Sequence, residues 1–353
     1  MVVKKILFCL LLFTAFSGWA QQPGKRWTPE RANAWYKNHK WLSGANYIPA
    51  TAINQLEMWQ ADTFDSKHID TELGYAEDIG FNTMRVFLHS VAWKQDPIGF
   101  KKRINDFLTI AAKHHIQPMF VFFDDCWNKE PKPGKQPEPK PGTHNSGWVQ
   151  DPGQPASENA ANFAGLEKYV KDILVTFGKD QRVLLWDLYN EPGNSGKGSK
   201  SLPLLKKVFA WARQVNPSQP LTSGVWDWNL VELNTYQLAQ SDIITYHDYN
   251  PEPEHLKVIN FLKVFSRPLI CTEYMARTRN SLFEKVMPML KKQNVGAVNW
   301  GFVAGKSNTI YAWDTPMPAG GEPTLWFHDI FRKDGSPYKQ DEVDVIKKLN
   351  TSK

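Results

Sequence analysis

Val183-Leu184-Leu185-Trp186-Asp187-Leu188-Tyr189-Asn190-Glu191-Pro192 is a strand sequence that ends on polar chemistry. Its branched and aromatic residues suit a sheet buried on both faces, the run is short for a helix, and Pro192 stops the ladder. Runs of the same kind recur at Leu42–Tyr47, Thr83–Leu88, Pro118–Phe123, Leu221–Trp226, Ile243–Tyr246, Pro268–Thr272 and Ala297–Phe302, with Val183–Tyr189 the fourth in order. Between them lie longer stretches with a 3.6-residue apolar period, among them Ile69–Gly80, Phe100–His115, Ala160–Phe177, Leu202–Val215 and Leu282–Gln293. Strands alternating with helices of this length form right-handed βαβ units around a parallel sheet. Eight units predict an α/β chain folded as a closed (β/α)8 TIM barrel, which takes about 250 residues before insertions. The rival, a doubly wound open sheet, announces a nucleotide by a glycine loop after the first strand, and Gly44-Ala45-Asn46-Tyr47 lacks one.

The chain has 353 residues, and the surplus falls into identifiable places. Met1–Ala20 reads as a cleavable export signal: Lys4 and Lys5, an apolar run from Ile6 to Phe16, then small residues before Gln21. Its apolar core is shorter than the roughly 20 residues a bilayer span requires. Cleavage leaves residues 21–353 as one domain, lowers the formal charge from +6 to +4, and predicts a secreted or periplasmic protein. Lys129–Pro155, with Pro131, Pro133, Pro137, Pro139 and Pro141, is polyproline-like or loose coil following the third strand. In a barrel that places it on the face where active sites are built; it is either a solvated insertion or part of a cleft. A second long loop, Val303–His328, follows the eighth strand, and Glu342–Leu349 completes the outer ring of helices.

Composition excludes several classes. After the signal no apolar stretch is long enough to span a membrane, and 22% charged residues argue against disorder. Basic residues are interspersed with acidic ones and no nucleic-acid motif occurs, so nucleic acid is not an expected partner. Cys126 and Cys271 lie on different elements with no spacing that favours a disulfide, and HExxH, HxH and CxxC are all absent, so neither metal nor cofactor is expected. Gly196-Lys197-Gly198 reads as loop without meaning.

The strand that ends in Asn190-Glu191 has a counterpart in Pro268-Leu269-Ile270-Cys271-Thr272-Glu273-Tyr274. Two carboxyl groups at the ends of facing strands are what glycosidic-bond cleavage needs, one to protonate the leaving oxygen and one to attack the anomeric carbon. Asn190-Glu191-Pro192 and Thr272-Glu273-Tyr274, with Arg85, His247, Tyr249 and Trp300 at strand ends, resemble clan A of the retaining glycoside hydrolases, family 5 most closely. The resemblance spans the whole barrel. It implies double displacement on a β-linked glycan of the glucan, mannan or xylan type, with Glu191 as acid/base, Glu273 as nucleophile, Asn190 at the sugar 2-hydroxyl and Trp300 under the sugar. It also implies His247 reaching toward Glu191, Tyr249 bonded to Glu273, and a cis peptide after Trp300. A non-catalytic carbohydrate-binding barrel and a transglycosylase are the alternatives.

Period-two alternation puts Arg85 and His89 on one face, and a guanidinium beside Glu273 is expected to hold that carboxyl ionised with a low pKa. The family's strand-three histidine is replaced by Asp124, which either contacts sugar hydroxyls or caps the following loop. Asn46 at the end of strand one is a further substrate candidate, and Glu57 a weaker one. The chain carries 15 Trp, more than packing asks for, since each indole N–H needs a partner. Trp59, Trp93, Trp127, Trp148, Trp226, Trp313 and Trp326 stand in or beside loops and are candidates for sugar stacking or for packing; Trp35, Trp41 and Trp211 read as structural.

Overall fold

The computed structural model of the protein describes residues 24–352; the proposed signal, residues 1–20, lies outside them. Eight parallel strands run in the order β5-β4-β3-β2-β1-β8-β7-β6. They are β1 (Ser43–Tyr47), β2 (Thr83–Phe87), β3 (Gln117–Asp124), β4 (Leu185–Asn190), β5 (Leu221–Thr222), β6 (Ile244–His247), β7 (Leu269–Glu273) and β8 (Gly296–Asn299). The edges β5 and β6 meet through a parallel bridge between Val225 and Tyr246 and a hydroxyl contact between Thr222 and Thr245, closing the expected (β/α)8 barrel. The predicted strand Leu221–Trp226 shrinks to two residues because the chain leaves the ladder at Ser223, whose hydroxyl donates to the Tyr189 carbonyl.

Alternation sorts the side chains into layers. Met84, Val86 and Leu88 of the second strand segment face outward into the main core, where the helices pack, whereas Arg85 and Phe87 face the barrel axis. Helix Phe163–Phe177 shows why such segments fold as they do: Leu166, Tyr169, Val170, Ile173, Leu174 and Phe177 recur at helical spacing and are all buried. The base of the barrel is filled by Leu42, Met119, Leu185, Ile243, Ile270 and Val298, covered by Trp27, Ala32 and Tyr36 of the N-terminal segment and its helix Pro29–Lys37.

Three of the longer helices had no clear signature in the sequence. Pro29–Lys37 and Glu252–Leu262 carry prolines in their first turns, where the missing N–H costs nothing, although proline otherwise reads as a breaker. Val231–Gln240 buries Asn234 and Gln237 alongside Leu233 and Leu238, which interrupts the apolar stripe. The proline-rich loop has little regular structure but is not loose: Gly134 and Gln136 bond to Gln60 and Asn54 of the loop after β1. Among the described residues, no helix is long and apolar enough to cross a membrane.

Candidate active site

The C-terminal ends of the strands surround a cleft of about 530 Å³, lined by Glu191, Glu273, Asn190, Cys126, Tyr249, Trp300 and loop residues. That volume falls in the ordinary range for small-molecule sites. At its centre, oxygens of Glu191 and Glu273 and a ring nitrogen of His247 all lie within 4.8 Å of one another.

Glu273 reaches the cleft through a backbone irregularity. Ile270 faces the barrel base and Cys271 the outer core, so strict alternation would turn Glu273 outward with Cys271. The β6–β7 register instead shifts between Tyr246, opposite Cys271, and His247, opposite Glu273. This β-bulge re-aims the carboxyl into the cleft, a common use of bulges beside functional sites. Glu191 stands one residue past its strand with φ 42°, in the left-handed region that non-glycine residues adopt at some cost.

Arg85 organises the floor. All five of its N–H groups are used: Nε and Nη2 donate to Asp187 Oδ2 at 3.0 and 2.7 Å, and Nη2 to Asn190 Oδ1 at 2.7 Å. Nη1 donates to Asn46 Oδ1 at 2.8 Å and to Glu273 Oε1 at 3.0 Å. Glu273 Oε2 accepts from the Tyr249 hydroxyl at 2.8 Å. Glu191 Oε1 is 2.8 Å from His247 Nδ1, while its Oε2 accepts from Asn194 Nδ2 and, at 3.2 Å, from the Cys126 thiol.

Burial dominates the electrostatics. It raises the Glu191 carboxyl above its ordinary value and Glu273 to about 7, with the neighbouring Glu191 charge adding to the rise at Glu273. His247, Arg85 and the Tyr249 hydroxyl pull Glu273 the other way. The expectation of a depressed pKa at Glu273 is therefore corrected: Arg85 is present, but its charge is shared with Asp187 and outweighed by desolvation. Burial also lowers His247 to about 4, so its imidazole is neutral near pH 7. The Glu191–His247–Glu273 trio has the size of a cation site, but a guanidinium 3.0 Å from one Glu273 oxygen opposes a metal there.

The remaining candidates divide. Trp226, Trp300 and Trp313 line the cleft as expected, Trp300 edge-on to Phe87 and Trp148, and Trp313 edge-on to Tyr249. Asn190 also lines it, though its Nδ2 already donates to Asp124 Oδ1 at 2.9 Å and weakly to the Cys126 sulfur. Asn46 and Arg85 lie beneath the lining and act through their neighbours; Asn46 also ties the Thr272 and Asn299 carbonyls together.

Besides Asn46 and Glu57, two substrate-contact expectations fail. His89 lies past the end of β2, fully buried, with Nδ1 accepting from Val91 N and Nε2 on the Gln150 carbonyl; it anchors the end of the proline-rich loop, because the chain turns into helix Ser90–Gln95 before the cleft is reached. Asp124 is buried under the cleft with four donors on its carboxylate: Cys126 N, Asn190 Nδ2, Trp148 Nε1 and Gln55 Nε2. It caps the loop and positions Asn190 and Trp148. The Trp300–Gly301 bond is not cis; the cis bond among the described residues joins Asp151 and Pro152. Cys126 and Cys271 are free thiols. Glu57 pairs with Lys306 away from the cleft, and Trp59, Trp93 and Trp326 are packed under loops.

Several site residues had no distinguishing mark in the sequence. Asp187 reads as one polar residue in an apolar strand, yet it holds Arg85. Cys126 and Asn194 reach Glu191 only through loop geometry. Lys197 is buried against Asp125, which also accepts from Ser201 Oγ and Gly193 N, so it fixes the loop that carries Glu191.

No family model and no curated protein matches the sequence. Solved structures do match the fold. The GH5_18 protein of Streptomyces cattleya, solved with Manβ1-4GlcNAc, is 11% identical over 88% of this chain and 80% of its own, with a TM-score of 0.61. The endo-β-1,4-mannanase of Thermotoga petrophila is 14% identical over 89% and 77%, with a TM-score of 0.56. A GH5-4 broad-specificity endoglucanase from Clostridium longisporum is 11% identical over 90% and 97%, with a TM-score of 0.56. The chain shares their barrel.

Proposed function

We propose that the protein is an exported retaining β-glycosidase that hydrolyses O-glycosidic bonds of a β-linked glycan or oligosaccharide. One observation carries the reading: oxygens of Glu191 and Glu273 lie within 4.8 Å of each other across a cleft walled by tryptophan. Retaining glycosidases hold their two carboxyl groups about 5–5.5 Å apart, whereas inverting ones leave about 6.5–9.5 Å for a water. The glycan-active barrels that share the fold support the same reading, and the N-terminal pattern of residues 1–20 supports export.

The roles follow from the bonds each carboxyl makes. Glu273 is the carboxyl bonded to a guanidinium, that of Arg85, and to the Tyr249 hydroxyl, so its ionised form is the one paired with a cation and it attacks the anomeric carbon. Glu191, raised by burial and lying beside a neutral imidazole, holds the proton that goes to the leaving oxygen. Once the aglycone leaves, Glu191 takes a proton from water, and the hydroxide so generated cleaves the glycosyl–Glu273 ester with overall retention. Trp300 supplies the flat face beneath the sugar.

The test is the anomeric configuration of the first-formed sugar, followed by proton NMR on an aryl β-glycoside, together with Glu273→Ala. Retention in the wild type and loss of turnover with preserved glycan binding in the variant are expected. Inversion would overturn the mechanism. A wild-type protein that binds β-glycans but cleaves none would make it a binding barrel, and transfer to sugar acceptors in preference to water would make it a transglycosylase.

A further inference from the structure

We propose that the cleft admits a single sugar on the glycone side, so that the protein removes residues one at a time from the non-reducing end of a β-linked oligosaccharide. This rests on the retaining reading, which fixes the polarity of the site. The acid/base protonates the leaving oxygen, so the aglycone lies toward Glu191 and the glycone toward Glu273. On the Glu191 side of the cleft, Asn194 and the Cys126 thiol bond its carboxyl, and Trp226 bonds the neighbouring Pro192 carbonyl from the loop after β5. On the Glu273 side, Tyr249 bonds its carboxyl and packs against Trp313, and Trp300 lines the same cleft.

Behind the glycone end the loops after β1, β3 and β8 are knitted into one continuous wall. Asn145 N donates to the Ser307 carbonyl at 2.9 Å, and Met317 N to the Gly142 carbonyl at 2.8 Å. Asn308 Nδ2 donates to the Lys140 and Thr143 carbonyls, and His144 Nδ1 sits 2.8 Å from the Tyr311 carbonyl. The seam is tight enough to require glycine at Gly142. A Cβ on Gly142, which has φ +59°, would lie 1.7 Å from the Met317 carbonyl oxygen, and one on Gly147 would lie 2.2 Å from Ile53 Cδ1. Asn54 Nδ2 joins the third loop through the Gly147 carbonyl, and Lys306 bridges to Glu57 at 2.6 Å.

Trp148 fills the space between this wall and Trp300, its ring 5.5 Å from the Trp300 ring and its Nε1 fixed on Asp124. A chain that continued past the glycone sugar would have to pass through these bonded loops. The opposite rim has no such closure: β5 and β6 are followed by the brief segments 223–230 and 248–251. An endo-acting cleft must be open at both ends, and this one is open toward the aglycone.

The experiment uses the full chain, a panel of aryl β-monoglycosides to find the accepted sugar, and reducing-end-labelled β-oligosaccharides of that sugar. The expected result is hydrolysis of a monoglycoside, and labelled products that shorten by one unit at a time with free monosaccharide as the sole early unlabelled product. Labelled products of intermediate length at early times, or release of disaccharide, would overturn the single-sugar subsite while leaving the glycosidase reading intact. No turnover of any glycoside would remove that reading and this inference with it.

Discussion

Tyr249→Phe removes one hydroxyl and keeps the ring that packs 4.9 Å from Trp313, so the perturbation falls on a single bond, Oη to Glu273 Oε2 at 2.8 Å. Burial holds the Tyr249 phenol well above its usual pKa, so it remains a donor at every working pH. A hydrogen bond to a charged group contributes about 1.5–3 kcal/mol, and one pKa unit corresponds to about 1.36 kcal/mol. The donor stabilises the ionised form only, so its loss raises the Glu273 pKa by roughly 1–2 units from a starting point near 7. Attack requires the carboxylate, so the acidic limb of kcat/KM moves to higher pH by the same amount. Below that limb the variant loses about 10–100-fold, and the loss shrinks as pH rises. The assay is kcat/KM on an aryl β-glycoside between pH 4.5 and 9 for both proteins, with circular dichroism to verify the fold. An acidic limb that stays in place or moves to lower pH would refute the assignment of Tyr249 as the donor to an ionised nucleophile.

Lys197→Met strands Asp125, buried beneath the loop that carries Glu191; breaking such a pair costs about 3–5 kcal/mol, and a change under about 0.5 kcal/mol in urea denaturation would show the pair to be unimportant. Trp148→Ala should lower stability by about 3–5 kcal/mol because the indole is buried and bonded to Asp124. Trp127→Ala, at a ring 40% exposed, should change stability by less than about 0.5 kcal/mol while raising KM, and equal effects on the melting temperature would contradict the split. Burial raises Asp329 to about 6, so the wild type has its full contribution below the unfolded value near 3.8 and loses it as pH rises through 6. Asp329→Asn, which keeps an acceptor for Thr309, should therefore gain on the wild type by up to about 3 kcal/mol between pH 4 and pH 7, and a pH-independent difference would refute the buried ionisation.

The floor of the cleft gathers its charge around one guanidinium. Arg85, Asp187 and Glu273 are buried, Glu191 is largely so with its side chain 12% exposed, and the Oδ1 atom of Asp187 has no partner. A lone buried carboxylate would simply take up a proton. Here one guanidinium is divided between two carboxylates, which is enough to orient Glu273 but not to depress it. The result is a pair of carboxyls, each raised by burial and close enough for the charge of one to raise the other, so that one holds its proton as acid while the other is ionised to attack.

How far the sequence foretold this depends on whether a feature is periodic. The eight strands were legible because barrel strands are buried on both faces and read as apolar runs. Glu191, His247, Tyr249 and Trp300 were legible because strand ends are marked by where those runs stop. Residues placed by loops were not: Cys126 and Asn194 meet at Glu191 across two separate loops, and Lys197 looked like linker because its partner, Asp125, is 72 residues away. His89 failed for a related reason, since its ring caps helix Ser90–Gln95 through Val91 N and is held by the Gln150 carbonyl of a loop 61 residues away. Glu273 is the instructive case. Period two, applied strictly from Ile270 and Cys271, turns its side chain into the outer core; the resemblance of Thr272-Glu273-Tyr274 pointed to the cleft. The β6–β7 bulge reconciles the two, and it belongs to a pair of strands, so neither strand's own sequence could show it.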